Sequence, residues 1–480
     1  MLTDKLILLH PLLFSIIFVI MPFTQYAGLI PPGQIVLPLI AVCAFSLLLY
    51  FLIKLIVKKA GTSVALLSPL LIVFCNYGTL YEYISSYTSG IYLKGIVLAA
   101  TSIIILFALI FYIIKSLRFS NNRIAKINKV FCIIAGILLI FNAYSITMQA
   151  VAYAKINGTL NTKNISIYKQ PERLPDIYFI VLDEYAAPSQ MKSYFNHDMS
   201  PFVNFLNQKG FMTTEMITNS LSTASILEAR LNIIPVKRHE GKTSSGSFLD
   251  IFLQSMNILN AYEEERMIRL RNNKVVNYLK TIGYQYIHMG SWFAQTRYNQ
   301  LADKNYNFYG LQFKDELPAI IASNSLLRLF FINKYFVRRS VLDAFDTLEN
   351  MTVILGKPKF VFAHIICPHT PYVFGPNGEK LSTIKGQSGD SKKLYIDQHI
   401  FITKKVKELV ERKLSSNQTA PVIIIQADHG ARMDKPGAHK VFSAVYIPKH
   451  HGKLWPEGTN SVNTFRFIFN ELFGTNLEIL

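Results

Sequence analysis

Residues 422–430 read VIIIQADHG. An unbroken apolar, β-branched run of this length predicts a strand buried on both faces, as in a parallel sheet. Asp428 and His429 then stand at its carboxyl end, where open α/β sheets place their ligands. A carboxylate beside an imidazole is a natural ligand pair for a divalent metal. It is equally a polar turn closed by Gly430. The rest of the chain decides between these readings.

Residues 176–183, DIYFIVLD, predict a second buried strand with Asp183 and Glu184 at its carboxyl end. Residues 200–211 have the spacing of an amphipathic helix closed by Gly210, and FMTTEMITN reads as a strand. A helix begins at Ser222, with Thr223 in or beside its first turn and Ser225 close by. Residues 247–283 read as helical and 284–288 as a short strand. Residues 359–366, KFVFAHII, predict a further strand, followed by CPHTPYVFGPNG with His369. A long amphipathic helix over 391–415 precedes the DHG strand. After it come a loop to His439, the strand FSAVYIP, and a closing helix over 461–474. Strands alternating with helices predict an α/β domain with a mostly parallel central sheet.

Residues 316–350 read as one helical stretch, unusually apolar in LLRLFFINKYFV. It fits a membrane-surface helix with Arg328, Lys334, Arg338 and Arg339 near headgroups. It fits an ordinary core helix equally well.

The 480 residues are 51% hydrophobic, high for a soluble protein, and the excess lies before about residue 154. Five apolar segments, near 6–23, 35–57, 64–84, 92–115 and 130–153, each approach the roughly 20 residues that cross a bilayer. Lys54, Lys58 and Lys59 follow the second segment, and Lys115, Arg118, Arg123, Lys126 and Lys129 follow the fourth. The loops after the first and third are nearly free of basic residues. This alternation predicts a cytoplasmic N-terminus and an extracytoplasmic C-terminal half of a multi-pass protein of the bacterial cytoplasmic (inner) membrane. The expected division is a transmembrane domain over 1–154, a linker over 155–175 and a catalytic domain over 176–480. Glu82, the one acid well inside a span, reads as hydrated near the outer interface. The net charge of +19 suits inside-facing loops and anionic lipid, and no nucleic-acid module is present. Four cysteines, three of them in apolar segments, imply no disulfide framework.

Asp183, Thr223 and Asp428-His429 thus lie at strand ends: two carboxylates, an imidazole and a hydroxyl. A dication needs three or four such ligands, and a catalytic site keeps a position for the reacting group. A threonine hydroxyl bound to a dication is activated as a nucleophile at accessible pH. A helix N-terminus beside it favours an anionic phosphoryl group.

DIYFIVLDEYA, NSLSTASILEARLN and VIIIQADHGAR, in this order behind five spans, resemble the sulfatase-like branch of the alkaline-phosphatase superfamily. The nearest likeness is to bacterial membrane phosphoglycerol and phosphoethanolamine transferases of the lipoteichoic-acid-synthase type. The resemblance implies that Asp183, Asp428 and His429 hold one or two Mn or Zn ions, with Thr223 as ligand and nucleophile. It implies a phospholipid donor and an envelope glycan or lipid acceptor. PHTPYVFGP resembles the loop carrying a substrate or second-metal histidine. His369 is preferred for that role to His364, which falls inside a predicted strand, and His439 is a further candidate. The alternatives are a membrane-anchored phosphodiesterase or sulfatase-like hydrolase, and a non-catalytic metal-binding scaffold. The formylglycine-forming Cys/Ser-x-Pro-x-Arg pattern of true sulfatases is missing around Thr223. Gly290-Ser291-Trp292-Phe293 lacks the Lys and His of their G-K-W-H motif. Ser220 and Glu228 also depart from the usual nucleophile motif, and Ser222 and Ser225 are rival nucleophiles.

Overall fold

The computed structural model describes residues 9–24, 26–87, 103–104, 107–108, 111, 121–159, 174–236, 261–308, 315–331, 334–351, 357–381, 391–415, 420–431, 437–450, 455–456 and 458–480. They form two compact units. The first holds the described residues up to Ala154 together with a later segment, 315–331. The second holds the others.

The first unit contains α1 (Leu9–Thr24), α2 (Val36–Val57), α3 (Ala60–Tyr87) and, as far as Ala154, α4 (Asn121–Thr159). Among the described residues, three helical stretches are long and apolar enough to cross a membrane: Pro32–Val57, Ala60–Tyr81 and Asn121–Lys155. Leu9–Thr24 is apolar but shorter. The expected span over 92–115 lies almost wholly outside the described residues, as do the side chain of Glu82 and most of the 155–175 linker. Leu37, Ile40, Leu55, Ile56, Ile137 and Ile140 are all exposed. Such a surface is costly in water and suited to lipid. Inside, His10 bonds Ser68 Oγ at 2.6 Å and Asn128 Oδ1 at 3.2 Å, joining α1, α3 and α4.

Residues 316–350 are not one helix. The stretch divides into α10 (Glu316–Asn324), α11 (Arg328–Phe331) and α12 (Lys334–Asn350). Ser325 is extended, and its hydroxyl accepts from the Leu327 N–H, competing with the helical bond. The division also separates the two readings of this stretch. Residues 315–331 pack within the first unit, and α12 buries Val341, Phe345 and Leu348 in the core of the second.

The second unit is built on a seven-stranded mixed sheet in the order β2-β7-β6-β1-β5-β3-β4. Its strands are β1 (Ile177–Leu182), β2 (Met212–Ile217), β3 (Gln285–Gly290), β4 (Lys304–Asn307), β5 (Lys359–Ile365), β6 (Val422–Ala427) and β7 (Lys440–Tyr446). Five adjacent strands, from β6 to β4, run parallel, while β7 is antiparallel to both β6 and β2. Every residue of β1, β5 and β6 is buried, so helices cover both faces, as their continuous apolar sequences require. The remaining helices are α5 (Pro188–Ser193), α6 (Ser200–Gln208), α7 (Thr223–Asn232), α8 (Ala261–Arg271), α9 (Lys274–Thr281), α13 (Ser391–Leu414) and α14 (Thr464–Phe473). α5 and β4 have no counterpart in the sequence reading, being short and weakly patterned. The expected helix over 247–283 falls into α8 and α9, and its part before 261 is outside the described residues.

The sheet order positions the site. β1, β5 and β6 share a direction, so the residues after 182, 365 and 427 meet at one edge. β7 reverses, so its start at residue 440 lies at that edge too, and β2, reversed again, ends there. His439, Thr218 and the start of α7 arrive at the carboxyl ends of β1 and β6 for this reason.

Candidate metal centre

Asp183 follows β1 directly, its backbone N–H donating to Ile365 O at 3.0 Å. The next residue, Glu184, takes the left-handed conformation (φ 60°). That costs a non-glycine residue free energy, and it persists because neighbours hold it. Glu184 N donates to Asp428 Oδ1 at 3.1 Å, and Tyr395 Oη donates to Glu184 O at 2.6 Å. Asp428 and His429 follow β6. Gly430 gives room to the Gln190 amide and to the backbone of Gly437, against which a side chain would press. Gln190, on α5, bonds Ala431 through both amide atoms and fixes the turn.

Thr223 is the first residue of α7. Ser222 Oγ caps that helix by accepting from Ser225 N at 3.4 Å, so its acceptor is committed to the backbone. Thr223 Oγ1 donates to Asp428 Oδ2 at 2.7 Å and lies 3.5 Å from His429 Nε2. Exposure is 3% for Asp183, 6% for Thr223 and zero for Asp428 and His429. Potential ligand atoms of Asp183, Asp428 and His429 all lie within 4.8 Å of one another.

Three features fit a divalent cation. First, two buried carboxylates converge, and Asp183 Oδ1 has no hydrogen-bond partner among the described residues. A buried carboxylate oxygen left so is costly unless a cation meets it. Second, His429 Nδ1–H donates to Gly430 O at 2.8 Å, leaving the Nε2 lone pair turned toward Asp428 and Thr223. Orienting a ligating imidazole through its other nitrogen is usual at metal sites. Third, His429 Nε2 is 3.3 Å from Asp428 Oδ2, and roughly tetrahedral bonds of about 2 Å would separate two ligand atoms by about 3.3 Å.

Electrostatics favour the ionised carboxylate. Burial pushes the Asp428 carboxyl up, but His429, His364 and the Thr223 hydroxyl outweigh it and hold it below the usual carboxylate range. Beneath the site, the buried Arg230 guanidinium of α7 donates to Ala427 O at 2.8 Å and Asp428 O at 3.2 Å. Burial pulls that guanidinium down to about 9 against the attraction of Asp428. Arg230 ties the helix carrying Thr223 to the strand end carrying Asp428. In the sequence Arg230 is only one charge within the helix ASILEARLN, and nothing local marks it as buried. Glu228, a departure from the usual nucleophile motif, is a structural acid here, paired with Arg269 at 2.6 Å.

The other histidines are placed as follows. His364 of β5 is buried, with Nε2 3.2 Å from Asp183 Oδ2 and Nδ1 2.8 Å from Thr296 Oγ1. Thr296 in turn contacts Ser291, and its carbonyl accepts from His288. His364, set second to His369 in the sequence reading, is therefore the one whose ring meets Asp183. The His369 backbone N–H donates to Asp183 O at 3.2 Å. Its Nδ1–H donates to Thr370 O at 2.6 Å and its ring faces Trp292. His439 donates from Nδ1 to Thr218 O at 2.9 Å. With Nδ1 donating, each ring carries its lone pair on Nε2. Cys367, between the two strand-end histidines, is buried, and burial, then Asp183, pushes its thiol well up.

Residues 175–467 match the family model described as Sulfatase. No curated protein matches the sequence. Solved structures with a similar fold include the C-terminal periplasmic domain of EptC from Escherichia coli in complex with Zn. It is 11% identical, covers 65% of this chain and 85% of that one, and has a TM-score of 0.42. The phosphoglycerol transferase GacH of Streptococcus pyogenes is 12% identical over 68% of this chain and 80% of that one, with a TM-score of 0.38. The lipoteichoic acid synthase LtaP of Listeria monocytogenes is 11% identical over 68% and 79%, with a TM-score of 0.39.

Proposed function

This chain belongs to the sulfatase family, and on that premise we propose that it is a membrane-bound phosphotransferase. It moves a phosphoglycerol or phosphoethanolamine group from a membrane phospholipid to an envelope glycan or lipid through a phosphoryl-threonine at Thr223. The observation that carries this reading is the Thr223 hydroxyl. It sits at a helix N-terminus, 2.7 Å from Asp428, among buried carboxylate and imidazole groups. The sulfatase alternative is weaker, because Cys367, the one cysteine after residue 132, is buried with a raised thiol.

Asp183, Asp428 and His429 would hold a divalent ion, Mn or Zn, which supplies positive charge against the phosphoryl oxygens and acidifies a neighbouring hydroxyl. Asp428 Oδ2 already accepts the Thr223 proton and orients Oγ1 for attack. Oγ1 bonds to phosphorus as the bond to the diacylglycerol oxygen breaks, and that oxygen leaves with a proton. An acceptor hydroxyl then attacks phosphorus, loses its proton, and Thr223 departs restored. The α7 N-terminus favours the anion in both steps. His369 and His439, each with its lone pair on Nε2, would take the acceptor proton or protonate the leaving oxygen. The apolar helices hold the chain beside its lipid donor. Five spans with a cytoplasmic N-terminus put the catalytic unit on the extracytoplasmic side, as the charge alternation of the loops supports.

The test is the intact mass of the purified full chain after incubation with phosphatidylglycerol and phosphatidylethanolamine vesicles, with and without Mn or Zn. A metal-dependent increment is expected on wild type and none on Thr223→Ala, its size identifying the headgroup. Full turnover by Thr223→Ala overturns the nucleophile assignment. Lipid consumed with water as the only acceptor, even when glycan is supplied, replaces transferase by hydrolase.

A further inference from the structure

Segment 315–331 follows β4 in sequence, yet it packs in the first unit. Leu317, Ile320 and Ile321 of α10 share a buried cluster with Phe18, Val19 and Phe23 of α1, Ile30 of the following turn and Cys75 of α3. The contact is specific as well as apolar. Gln34 Oε1 accepts from the backbone N–H groups of Glu316 (3.1 Å) and Leu317 (3.2 Å), satisfying donors that a helix start leaves unpaired. Leu326 N donates to Phe74 O at 2.8 Å, where α10 has ended. Gly78 admits the backbone of Ser323, and a side chain there would collide with it. The Arg328 guanidinium lies 4.7 Å from the centre of the Tyr81 ring.

Beyond Arg328, α11 turns apolar groups outward: Leu329 is 46% exposed and Phe330 69%. The helices that anchor the segment do the same beside each anchor point. Val36, Leu37 and Ile40 follow Gln34 and are exposed, and Leu80 precedes Tyr81 and is exposed. Those faces belong to helices apolar and long enough to cross a membrane, which identifies lipid as what covers them.

We infer that residues 315–331 are a lipid-contacting element of the membrane half, seated on the C-terminal ends of α1 and α3, with Leu329 and Phe330 in contact with phospholipid acyl chains. Arg328, its charge over Tyr81, sits at headgroup depth and marks the boundary of the inserted part. By the charge alternation, the loop carrying Gln34 and the end of α3 face the side to which the catalytic half is delivered. A segment continuous in sequence with that half reaches them without crossing the bilayer. The inference rests on the membrane reading of α2 to α4 and is independent of the reaction proposed above.

The experiment uses the full chain in phosphatidylglycerol and phosphatidylethanolamine vesicles, with plain or brominated acyl chains. The sequence has two tryptophans, Trp292 and Trp455, both in the second unit. Phe330→Trp adds a third, and its added emission is expected to be mostly lost in brominated vesicles. Leu55→Trp, on the exposed face of α2, should behave likewise, whereas Glu411→Trp, exposed on α13, should keep its emission. Full emission from Phe330→Trp with Leu55→Trp quenched overturns the inference. If Leu55→Trp also escapes quenching, the membrane reading of α2 falls and the inference with it. Adding Gly78→Leu to Phe330→Trp should displace the segment and restore emission. A photoactivatable phenylalanine at 330 should form an adduct with phospholipid, and cross-linking to a second copy instead overturns the assignment of lipid.

Discussion

At the amino end of β1, the side chain of Asp176 packs against the buried Lys359. One carboxylate oxygen accepts from the Lys359 backbone N–H at 2.9 Å and the other lies 3.2 Å from its ammonium. At the carboxyl end of the same strand, Asp183 is more deeply buried, with Oδ1 unpartnered among the described residues and Oδ2 facing a histidine nitrogen. Lysine is even in excess at the first edge. Lys413 lies nearby, its pKa pulled down to about 8 by burial first and then by Lys359. At the second edge the buried Arg230 spends its hydrogen bonds on backbone carbonyls. A carboxylate closed by the chain's own lysine is part of the scaffold. A pair of carboxylates at the strand ends that meets no lysine or arginine among the described residues is poised for a cation from outside.

Substitutions at the two edges should therefore fail differently. The largest effect is expected for Asp428→Asn, which removes a proposed metal ligand and the acceptor for Thr223 Oγ1. Turnover of phospholipid should fall by about 10⁴-fold or more, with thermal unfolding of the metal-free protein little changed. Activity within a few fold of wild type would erase the distinction drawn for the carboxyl edge. Next comes Lys359→Met, which leaves Asp176 buried without its partner. Denaturant titration should show a loss of about 3–5 kcal/mol, with metal content per folded molecule unchanged. Adding Asp176→Leu should recover most of it. A Lys359→Met protein of normal stability that has lost its metal would reverse the roles of the edges.

Chelation sharpens the same contrast. Removing metal held at about a hundred times its dissociation constant should cost roughly 3 kcal/mol in wild type. The loss should be equal in Lys359→Met and absent in Asp183→Asn, read as shifts in unfolding midpoint. The smallest effect is expected at His364. His364→Gln should weaken metal binding by about 10–100-fold in competition with a chromophoric chelator, and Thr296→Val should do so by less. Unaltered affinity in both would make the ring beside Asp183 a packing group.

Much of this contrast was legible in order but not in space. The runs DIYFIVLD and VIIIQADHG announce buried strands with acids at their ends, and SLSTAS announces a helix start. His364 shows what such reading misses. Inside an apolar run it looks like core, and only the β1–β5 register, pairing Val181 with His364, brings its ring to Asp183. Residues 316–331 show a second limit. Their apolarity is plain in the sequence, but two partners compete for it, and Ser325 decides where the helix breaks. The mixed sheet is a third, since an antiparallel β7 reads no differently from a parallel one in FSAVYIP.

By itself the sequence determined what local windows can encode. It gave buried strands from unbroken β-branched runs, apolar helices of membrane length, polar groups at strand ends and motifs that carry the family likeness. Each is a property of a few to about twenty neighbouring residues, fixed by side-chain period and the cost of exposing apolar surface. The tertiary structure alone decided the rest. The double reversal through β7 and β2 brought His439 and Thr223 to the edge shared by Asp183 and Asp428. The register supplied His364, and packing closed Asp176 with Lys359 while giving Asp183 no lysine or arginine among the described residues. Such meetings depend on the order and direction of strands far apart in sequence, and no window of the chain contains both partners.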